Sequence, residues 1–152
     1  VAPSRGLGDV YKRQVRETEF ADFIHKEYPD IKIITTLDSF EDPQITYEKT
    51  VKLLRDYQDL QGIYITCGGV SQVGRALEES GRAKDIRVIS FEDYPEVVDL
   101  IRKDVIDCTL AGELQQQGEI PVQIIMDYLV FGKEPEQQQI FTDIRVLVKE
   151  SL

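Results

Sequence analysis

Apolar and polar positions follow two alternating patterns along this chain. Short apolar runs, each the length of one strand, are followed by stretches whose apolar residues recur every three or four positions. The first pattern is typical of buried strands and the second of amphipathic helices. The four runs are residues 31–37, 63–67, 86–91 and 106–111. Because strands that alternate with helices imply a parallel sheet, we predict an α/β fold whose parallel sheet carries helices on both faces.

Capping residues mark where the helical stretches begin and end. Asp42 followed by Pro43 is typical of a helix start, and Gly81 and Gly132 are typical of helix ends. Pro121 would break the interior of the longest helix, so the regular part of that helix is expected to begin there. The predicted helices are residues 16–28, a stretch from 43 onward, 70–80, 95–103 and 115–131, and residues 140–148 form a last, alternating strand.

The balance of charge narrows the possible partners. The chain has 152 residues, enough for one domain with one core, and it carries a net charge of -10 at pH 7. So acidic a surface repels nucleic-acid phosphates and anionic lipids, and we expect no direct contact with either. No apolar run approaches the roughly 20 residues of a membrane span, and the start lacks the apolar core of a secretory signal.

The residues most often used in catalysis and metal binding are sparse. Cys67 and Cys108 both fall in predicted strands, which favours two buried free thiols over a disulfide. Free thiols in turn favour a reducing compartment. His25 is the single histidine, so we expect no metal ion and no cofactor. Ser71 and Ser90 lack the G-x-S-x-G context of a serine nucleophile. We therefore predict that the chain is not an enzyme.

The first fourteen residues are expected to be foreign to the domain. Residues 9–14, Asp-Val-Tyr-Lys-Arg-Gln, resemble the translation of a transposon end used to prepare sequencing libraries. Residues 1–8 before them have no starting methionine and no periodicity. Such segments are left out of fold reasoning. We expect native sequence to begin near Val15 and the chain to be a fragment.

Polar residues follow each predicted strand at its carboxyl end, where parallel sheets bind ligands. Asp38, Glu92 and Glu113 supply carboxylates, which accept hydrogen bonds from adjacent hydroxyl groups such as those of a sugar. We expect Glu92 to point towards a ligand and Asp93 to cap the following helix. Alternatively, Asp38, Glu92 and Glu113 could gather as an acid/base or magnesium cluster, which we favour less.

The turn at Gly68 and Gly69 leaves two interpretations open. Backbone N–H groups at this strand-to-helix turn could approach a ligand, or the glycines could simply allow close packing. The segment is neither a dinucleotide fingerprint nor a phosphate-binding P-loop, because no lysine–serine pair follows. We favour a turn that also approaches the ligand.

From Val15 onward the sequence resembles one half of a known domain. The matching stretches are residues 16–20 (RETEF), 59–66 (DLQGIYIT), 74–81 (GRALEESG), 86–92 (IRVISFE) and the Gln117-Gly118 start of the long helix. They resemble the C-terminal half of the effector-binding domain of lactose-repressor-type (LacI/GalR) transcription regulators. This domain shares its fold with the type 1 periplasmic sugar-binding proteins.

The resemblance implies a set of ligand-binding residues. The arginine that contacts effector in the family falls on Arg16, and its usual aspartate falls on Glu92. The frequent Asn-Asp pair falls on Gly68 and Gly69, so backbone contacts would have to replace two side-chain contacts. The frequent glutamine after the last strand of the lobe falls near Gly112. The predicted site is Arg16, Asp38, Thr66, Gly68, Gly69, Glu92 and Glu113.

The resemblance also implies an architecture and a function. Residues 15–152 would form a partial domain in which most of one lobe is followed by a crossover helix (115–131) and a returning strand (140–148). By its own pattern this helix buries Ile124, Ile125, Tyr128 and Leu129, whereas the resemblance implies an apolar face exposed towards missing partners.

The expected protein is the sugar- or polyol-binding fragment of a cytoplasmic, dimeric regulator without its DNA-binding headpiece. One alternative is an extracytoplasmic solute-binding protein that feeds a sugar transporter or a sensor kinase. Another is a sugar-phosphate enzyme or a receiver-like domain that uses the carboxylate cluster. A receiver needs a lysine at the end of a late strand, and none stands there.

Overall fold

The computed structural model describes residues 7–40 and 42–152. Its elements in chain order are α1 (Leu7–Glu27), α2 (Pro43–Asp56), β1 (Gly62–Tyr64), α3 (Val70–Ser80), β2 (Arg87–Phe91), α4 (Pro95–Arg102), β3 (Cys108–Gly112), α5 (Leu114–Phe131), β4 (Ile144–Val148) and a 3₁₀ turn (Lys149–Ser151). The sheet has the order β1-β2-β3-β4. Strands β1, β2 and β3 are parallel, and β4 pairs antiparallel with β3. The predicted α/β class is confirmed, with the last strand reversed.

One hydrophobic core lies between the sheet and the helices α3 and α4, and Leu54 of α2 belongs to it. Val88 of β2, Leu77 of α3 and Ile101 of α4 are fully buried in it. The two helices approach closely at Gly74, where a Cβ atom would lie 2.5 Å from Leu100 Cδ1. Close packing of this kind supplies most of the stability of a small domain, because each buried apolar side chain leaves water. This core fixes the positions of the three parallel strands.

The capping signals behave as predicted at three helix ends. Asp42 caps α2 by accepting a hydrogen bond from Ile45 N at 2.9 Å. Gly81 and Gly132 end α3 and α5 with φ of 71° and 64°. The prediction that the regular part of this helix begins at Pro121 is wrong, because α5 begins at Leu114 and runs through the proline. One missing N–H donor removes one hydrogen bond and leaves the rest of the helical ladder in place.

The predicted strand over residues 31–37 does not form. The segment has no regular secondary structure, and its apolar side chains are exposed, Ile31 by 51% and Ile34 by 47%. A strand needs a neighbour for its N–H and C=O groups, and β1 ends the sheet on this side, pairing only with β2. With no strand beside it in the described chain, the run stays unpaired. Cys67 also lies beyond β1 rather than within a strand, whereas Cys108 belongs to β3.

Helix α1 contacts the face of the sheet opposite the core. It begins at Leu7 rather than at residue 16, and it runs without interruption through residues 9–14. Its Phe20 ring stacks on Tyr64 of β1 with centroids 4.1 Å apart. The foreign origin of the first fourteen residues stays a prediction, and residues 1–6 lie outside the described residues. Helices therefore lie on both faces of the sheet, as predicted.

Helix α5 has no buried residue, so the expected burial of its apolar face is wrong. Ile125, Tyr128 and Leu129 are exposed, Leu129 by 72%, and Ile124 is half-buried. The other expectation for this helix, an apolar face without a partner in the described chain, is confirmed. Within the described residues no helix combines the length and apolar character that crossing a membrane requires.

Candidate ligand site

Helix α1 brings Arg16 to the carboxyl ends of β1 and β2. The Nη1 atom of Arg16 donates a hydrogen bond to the backbone oxygen of Thr66 at 2.9 Å. The guanidinium carbon of Arg16 lies 3.7 Å from the centre of the Phe91 ring, a cation–π geometry. Thr66 follows β1 and Phe91 ends β2, so one side chain spans two neighbouring strand ends. The structure thereby brings together Arg16 and Thr66, two of the predicted site residues.

Three aromatic rings lie in contact beside Arg16. Phe20 stacks on Tyr64. Tyr64 and Phe91 make an edge-to-face contact with ring centroids 5.8 Å apart. Burial raises the pKa of the Tyr64 hydroxyl, and the positive charge of Arg16 lowers it by less. The phenol is therefore neutral near pH 7 and keeps its proton as a hydrogen-bond donor. We call Phe20, Tyr64 and Phe91 the aromatic cluster.

Glu92 immediately follows Phe91 at the end of β2. Its side chain is half-buried, and within the described residues its carboxylate has neither an ion-pair nor a hydrogen-bond partner. Its backbone has φ of 78°, in the left-handed region that side chains larger than hydrogen rarely adopt. The adjacent Phe91 lies under the Arg16 guanidinium, so Arg16 and Glu92 share the same edge of the sheet.

Asp93 and Glu113 are tied to one cation, Arg145 of β4. The Nη2 atom of Arg145 lies 3.1 Å from Asp93 Oδ2, and its Nε atom pairs with Glu113 Oε1. The expected capping role of Asp93 is therefore wrong. Helix α4 begins at Pro95 with Tyr94 as its N-cap, and no side chain caps it. Asp93 lies one residue too early to cap, and the reversed strand β4 supplies a cation instead.

Asp38 follows the segment that forms no strand, and its polar atoms already have partners. Its Oδ1 atom accepts from Arg13 at 2.9 Å and from the backbone N–H of Phe40, and its backbone oxygen accepts from Lys49. Arg13 stands one turn before Arg16 on α1. The proposed magnesium cluster finds no support, because the described part of the chain holds no group of three or more His, Cys, Asp or Glu residues able to ligate a metal ion.

The two neighbouring glycines occupy different surroundings. Gly69 precedes α3 with φ of 95°, and a Cβ atom there would lie 2.8 Å from Thr46 Cγ2 of α2. A Cβ atom at Gly68 would meet no atom of the described residues within 4 Å. Close packing therefore explains Gly69, whereas Gly68 is the open position at the carboxyl end of β1.

Sequence reasoning missed three residues in or near this site. Arg13 belongs to the segment expected to be foreign; helical spacing places it on the same side of α1 as Arg16, but no sequence pattern indicates its pair with Asp38. Arg145 reaches the edge only because β4 runs antiparallel to β3. Thr109 is a buried strand residue whose hydroxyl donates to the backbone oxygen of Glu92 at 2.6 Å, and no sequence signal marks it.

Comparison with known proteins agrees with this arrangement. The family profile described as "Periplasmic binding protein domain" matches residues 7–134. The chain belongs to the periplasmic binding protein domain family. A search of curated proteins by sequence found no significant match.

Several solved structures have the same fold. The sugar-binding protein of a sugar ABC transporter from Bacillus halodurans is 27% identical, with a TM-score of 0.79 over 90% of this chain and 50% of that one. GanP, a glucose-galactose binding protein from Geobacillus stearothermophilus, is 23% identical, with a TM-score of 0.81 over 91% and 49%. A solute-binding protein from Agrobacterium vitis with bound D-fucose is 23% identical, with a TM-score of 0.80 over 89% and 46%. The chain thus spans about half the length of these proteins.

Proposed function

We propose that the edge formed by Arg16, the aromatic cluster and Glu92 is half of a binding site for a small neutral carbohydrate. The observation that carries this proposal is a half-buried carboxylate without a protein partner in the described chain, next to a guanidinium that lies on an aromatic ring. A carboxylate accepts two hydrogen bonds from adjacent hydroxyls, and an arginine donates to others. Aromatic faces suit the C–H groups of a sugar ring.

The charges at this edge favour a neutral ligand over an ionic one. Arg145 carries one positive charge against the two carboxylates of Asp93 and Glu113, so it offsets half of their negative charge. Beside the aromatic cluster, Glu92 supplies one negative charge and Arg16 one positive charge. A strongly anionic ligand would meet Glu92, and a strongly cationic one would meet Arg16. A polyhydroxylated neutral molecule satisfies both. The solved relatives described as binding sugars support the same ligand class.

We further propose that the ligand lies between this half and a second lobe. The chain covers 46–50% of the length of these relatives, and no residue of α5 is buried. Sugars of low molecular weight bind tightly only when most of their surface is enclosed, which one edge of a sheet does not achieve. In this proposal, α5 packs against the second lobe and the remaining predicted residues, Thr66, Gly68, Asp38 and Glu113, line or support the crevice.

For the parent protein we propose an extracytoplasmic solute-binding protein that delivers a sugar to a transporter or a sensor. The solved relatives named as transporter sugar-binding proteins favour this role over that of a regulator. The effector-binding domain of a cytoplasmic, dimeric LacI/GalR-type regulator is the second candidate, supported by the order of the matching stretches in the sequence. Both bind rather than transform their ligand. The native genomic sequence upstream of the Val15 codon separates them, because it encodes a signal peptide in one case and a helix-turn-helix in the other.

The binding proposal is tested by titrating the chain with D-fucose, D-galactose, D-glucose and D-arabinose, using saturation-transfer NMR to detect millimolar affinities. Glu92→Gln and Arg16→Gln should each weaken binding by about 10-fold or more, the usual cost of removing a charged hydrogen-bond partner. Glu150→Gln is the matched control, because it changes the same charge beyond the far end of β4. Equal affinities in Glu92→Gln, Arg16→Gln and the control would refute the site.

A further inference from the structure

Glu92 adopts a backbone conformation that its surroundings must maintain. The described non-glycine residues with positive φ are Phe40, Glu92 and Asp104. Asp104 directly follows the C-cap of α4, where left-handed residues are common. Glu92 instead follows a buried strand, where an extended conformation is the default. A strained residue persists only where neighbouring groups hold it, and such residues cluster at binding sites.

Two hydrogen bonds from β3 hold Glu92 in this bend. The backbone N–H of Glu92 donates to Leu110 O at 3.0 Å, and the hydroxyl of Thr109 donates to Glu92 O at 2.6 Å. Both polar atoms of the Glu92 backbone are therefore satisfied by β3. Of these two hydrogen bonds, the one from the Thr109 hydroxyl depends on side-chain identity, because Leu110 contributes only its backbone oxygen. Thr109 is fully buried, so no solvent competes for its proton.

The neighbouring strand provides a natural contrast. Ser90 of β2 pairs with Thr109 in the sheet register, and both side chains are fully buried. Yet the Ser90 hydroxyl has no hydrogen-bond partner in the described part of the chain. Of these two paired side chains, the Thr109 hydroxyl makes a hydrogen bond to Glu92, whereas the Ser90 hydroxyl makes none within the described residues.

We propose that Thr109 is a positioning residue for ligand binding. Its buried hydroxyl fixes the left-handed bend at Glu92, and the bend turns the Glu92 carboxylate away from β2 and towards the crevice. This inference deepens the proposed function and rests on it for the identity of the ligand. The strain at Glu92 is retained because an extended Glu92 would place its carboxylate elsewhere.

The first test measures the bend without any ligand. In the full chain, a strong intraresidue NOE between the amide proton and Hα of Glu92 reports its positive φ. Thr109→Val is nearly isosteric and removes only the hydroxyl, so the NOE should weaken as Glu92 relaxes towards extended backbone. Thr109→Ser should keep it, and Ser90→Ala, the matched buried control, should leave it unchanged. An unchanged NOE in Thr109→Val would overturn the proposal.

The second test measures binding of D-fucose to the same variants. Thr109→Val should weaken binding by about 10-fold, as expected when one charged hydrogen-bond partner is misplaced, while Thr109→Ser and Ser90→Ala should bind like the parent chain. A lost NOE with unchanged D-fucose affinity would overturn the role of Thr109 in binding. If the unmodified chain binds none of the four sugars while the NOE responds as expected, the proposed function fails. The effect of the Thr109 hydroxyl on the Glu92 backbone would then still be supported.

A third variant needs no change in β3. Glu92→Gly removes the side chain and the strain together, so Tm should rise by about 2–4 °C, the shift that about 1 kcal/mol causes in a domain of this size, while D-fucose binding is lost. Asp104→Gly is the matched control: it relieves a similar conformation far from the crevice and should leave D-fucose affinity unchanged. A lower Tm in Glu92→Gly would contradict the strain on which the proposal rests.

Discussion

Helices α3 and α5 both carry apolar residues, but α3 is packed in the core and α5 is not. Each follows a parallel strand of the sheet, and each ends at a glycine in the left-handed conformation. Helix α3 buries Val73, Ala76 and Leu77 against the sheet and α4. Helix α5 is longer, and from residue 124 to 131 only Asp127 is charged, yet none of its residues is buried. Apolar composition indicates that a helix packs somewhere, but it does not identify the partner.

The contrast separates a self-sufficient region from an incomplete one. The region built from β1 to β3 with α2, α3 and α4 contains the core cluster. The region built from α5 and the segment leading into β4 exposes large apolar residues, including Phe131 at 76%. Contiguous exposed apolar surface of this kind marks an interaction site in soluble proteins. Mutations in the two regions should therefore differ sharply in their effect on the stability of the isolated chain.

The largest expected difference is between two leucines. Leu77→Ala should lower the free energy of unfolding by about 3 kcal/mol, because it leaves a cavity in the core. Leu129→Ala should change the free energy by less than about 0.5 kcal/mol, because Leu129 is 72% exposed. Urea denaturation of both variants measures the difference. A cost for Leu129→Ala similar to that of Leu77→Ala would show that α5 is packed in solution.

The next difference concerns the two glycines before α3. Gly69→Ala should lower the free energy of unfolding by about 2 kcal/mol, because the new methyl group would both face Thr46 at 2.8 Å and occupy φ of 95°. Gly68→Ala should change it by less than about 1 kcal/mol, since no atom of the described residues lies within 4 Å. The denaturant midpoints of Gly69→Ala and Gly68→Ala measure this difference. Equal costs would mean that α2 and α3 do not approach here as described.

A smaller effect is expected at the junction between the two regions. Arg145→Met should lower the free energy of unfolding by about 1 kcal/mol, because Asp93 and Glu113 lose their shared cation at a partly exposed site. Hydrogen exchange should speed up at residues 113–116 and 143–146 and stay unchanged in α3. Arg102→Met, which removes an exposed pair with Asp99, is the matched control and should affect neither segment. Faster exchange throughout the molecule would argue against a local junction.

The smallest effect is a pH dependence within the self-sufficient region. The hydroxyl of Tyr47 and then Arg75 hold the pKa of the Glu79 carboxyl below its ordinary value. The stability that this provides is complete above the unfolded carboxyl pKa and is lost as pH falls through the lowered folded value. Tyr47→Phe should therefore lose stability at pH 7 but not at pH 2, as measured by urea midpoints. An equal loss at both pH values would point to packing of the ring instead.

Local rules predicted much of the fold. The bounds of α3, the cap at Asp42 and the glycine stops follow from hydrogen-bonding needs that neighbouring residues satisfy. The strand over residues 31–37 failed because its apolar pattern is local, whereas pairing needs a second strand beside it. At the site, the edge of the sheet and the nearness of Arg16 to Thr66 followed from the parallel topology and the family resemblance. The pair between Arg145 and Glu113 did not, because these residues stand far apart along the chain.

By itself, the sequence determined which segments become helices, where they stop, and which edge of the sheet collects polar residues, because these properties depend on spacing and on residues a few positions apart. Only the tertiary structure decided that Asp93 pairs with Arg145 rather than capping α4, and that the Thr109 hydroxyl donates to the backbone of Glu92. These outcomes depend on which distant groups come within hydrogen-bonding distance, and that distance is set by how the strands and helices pack.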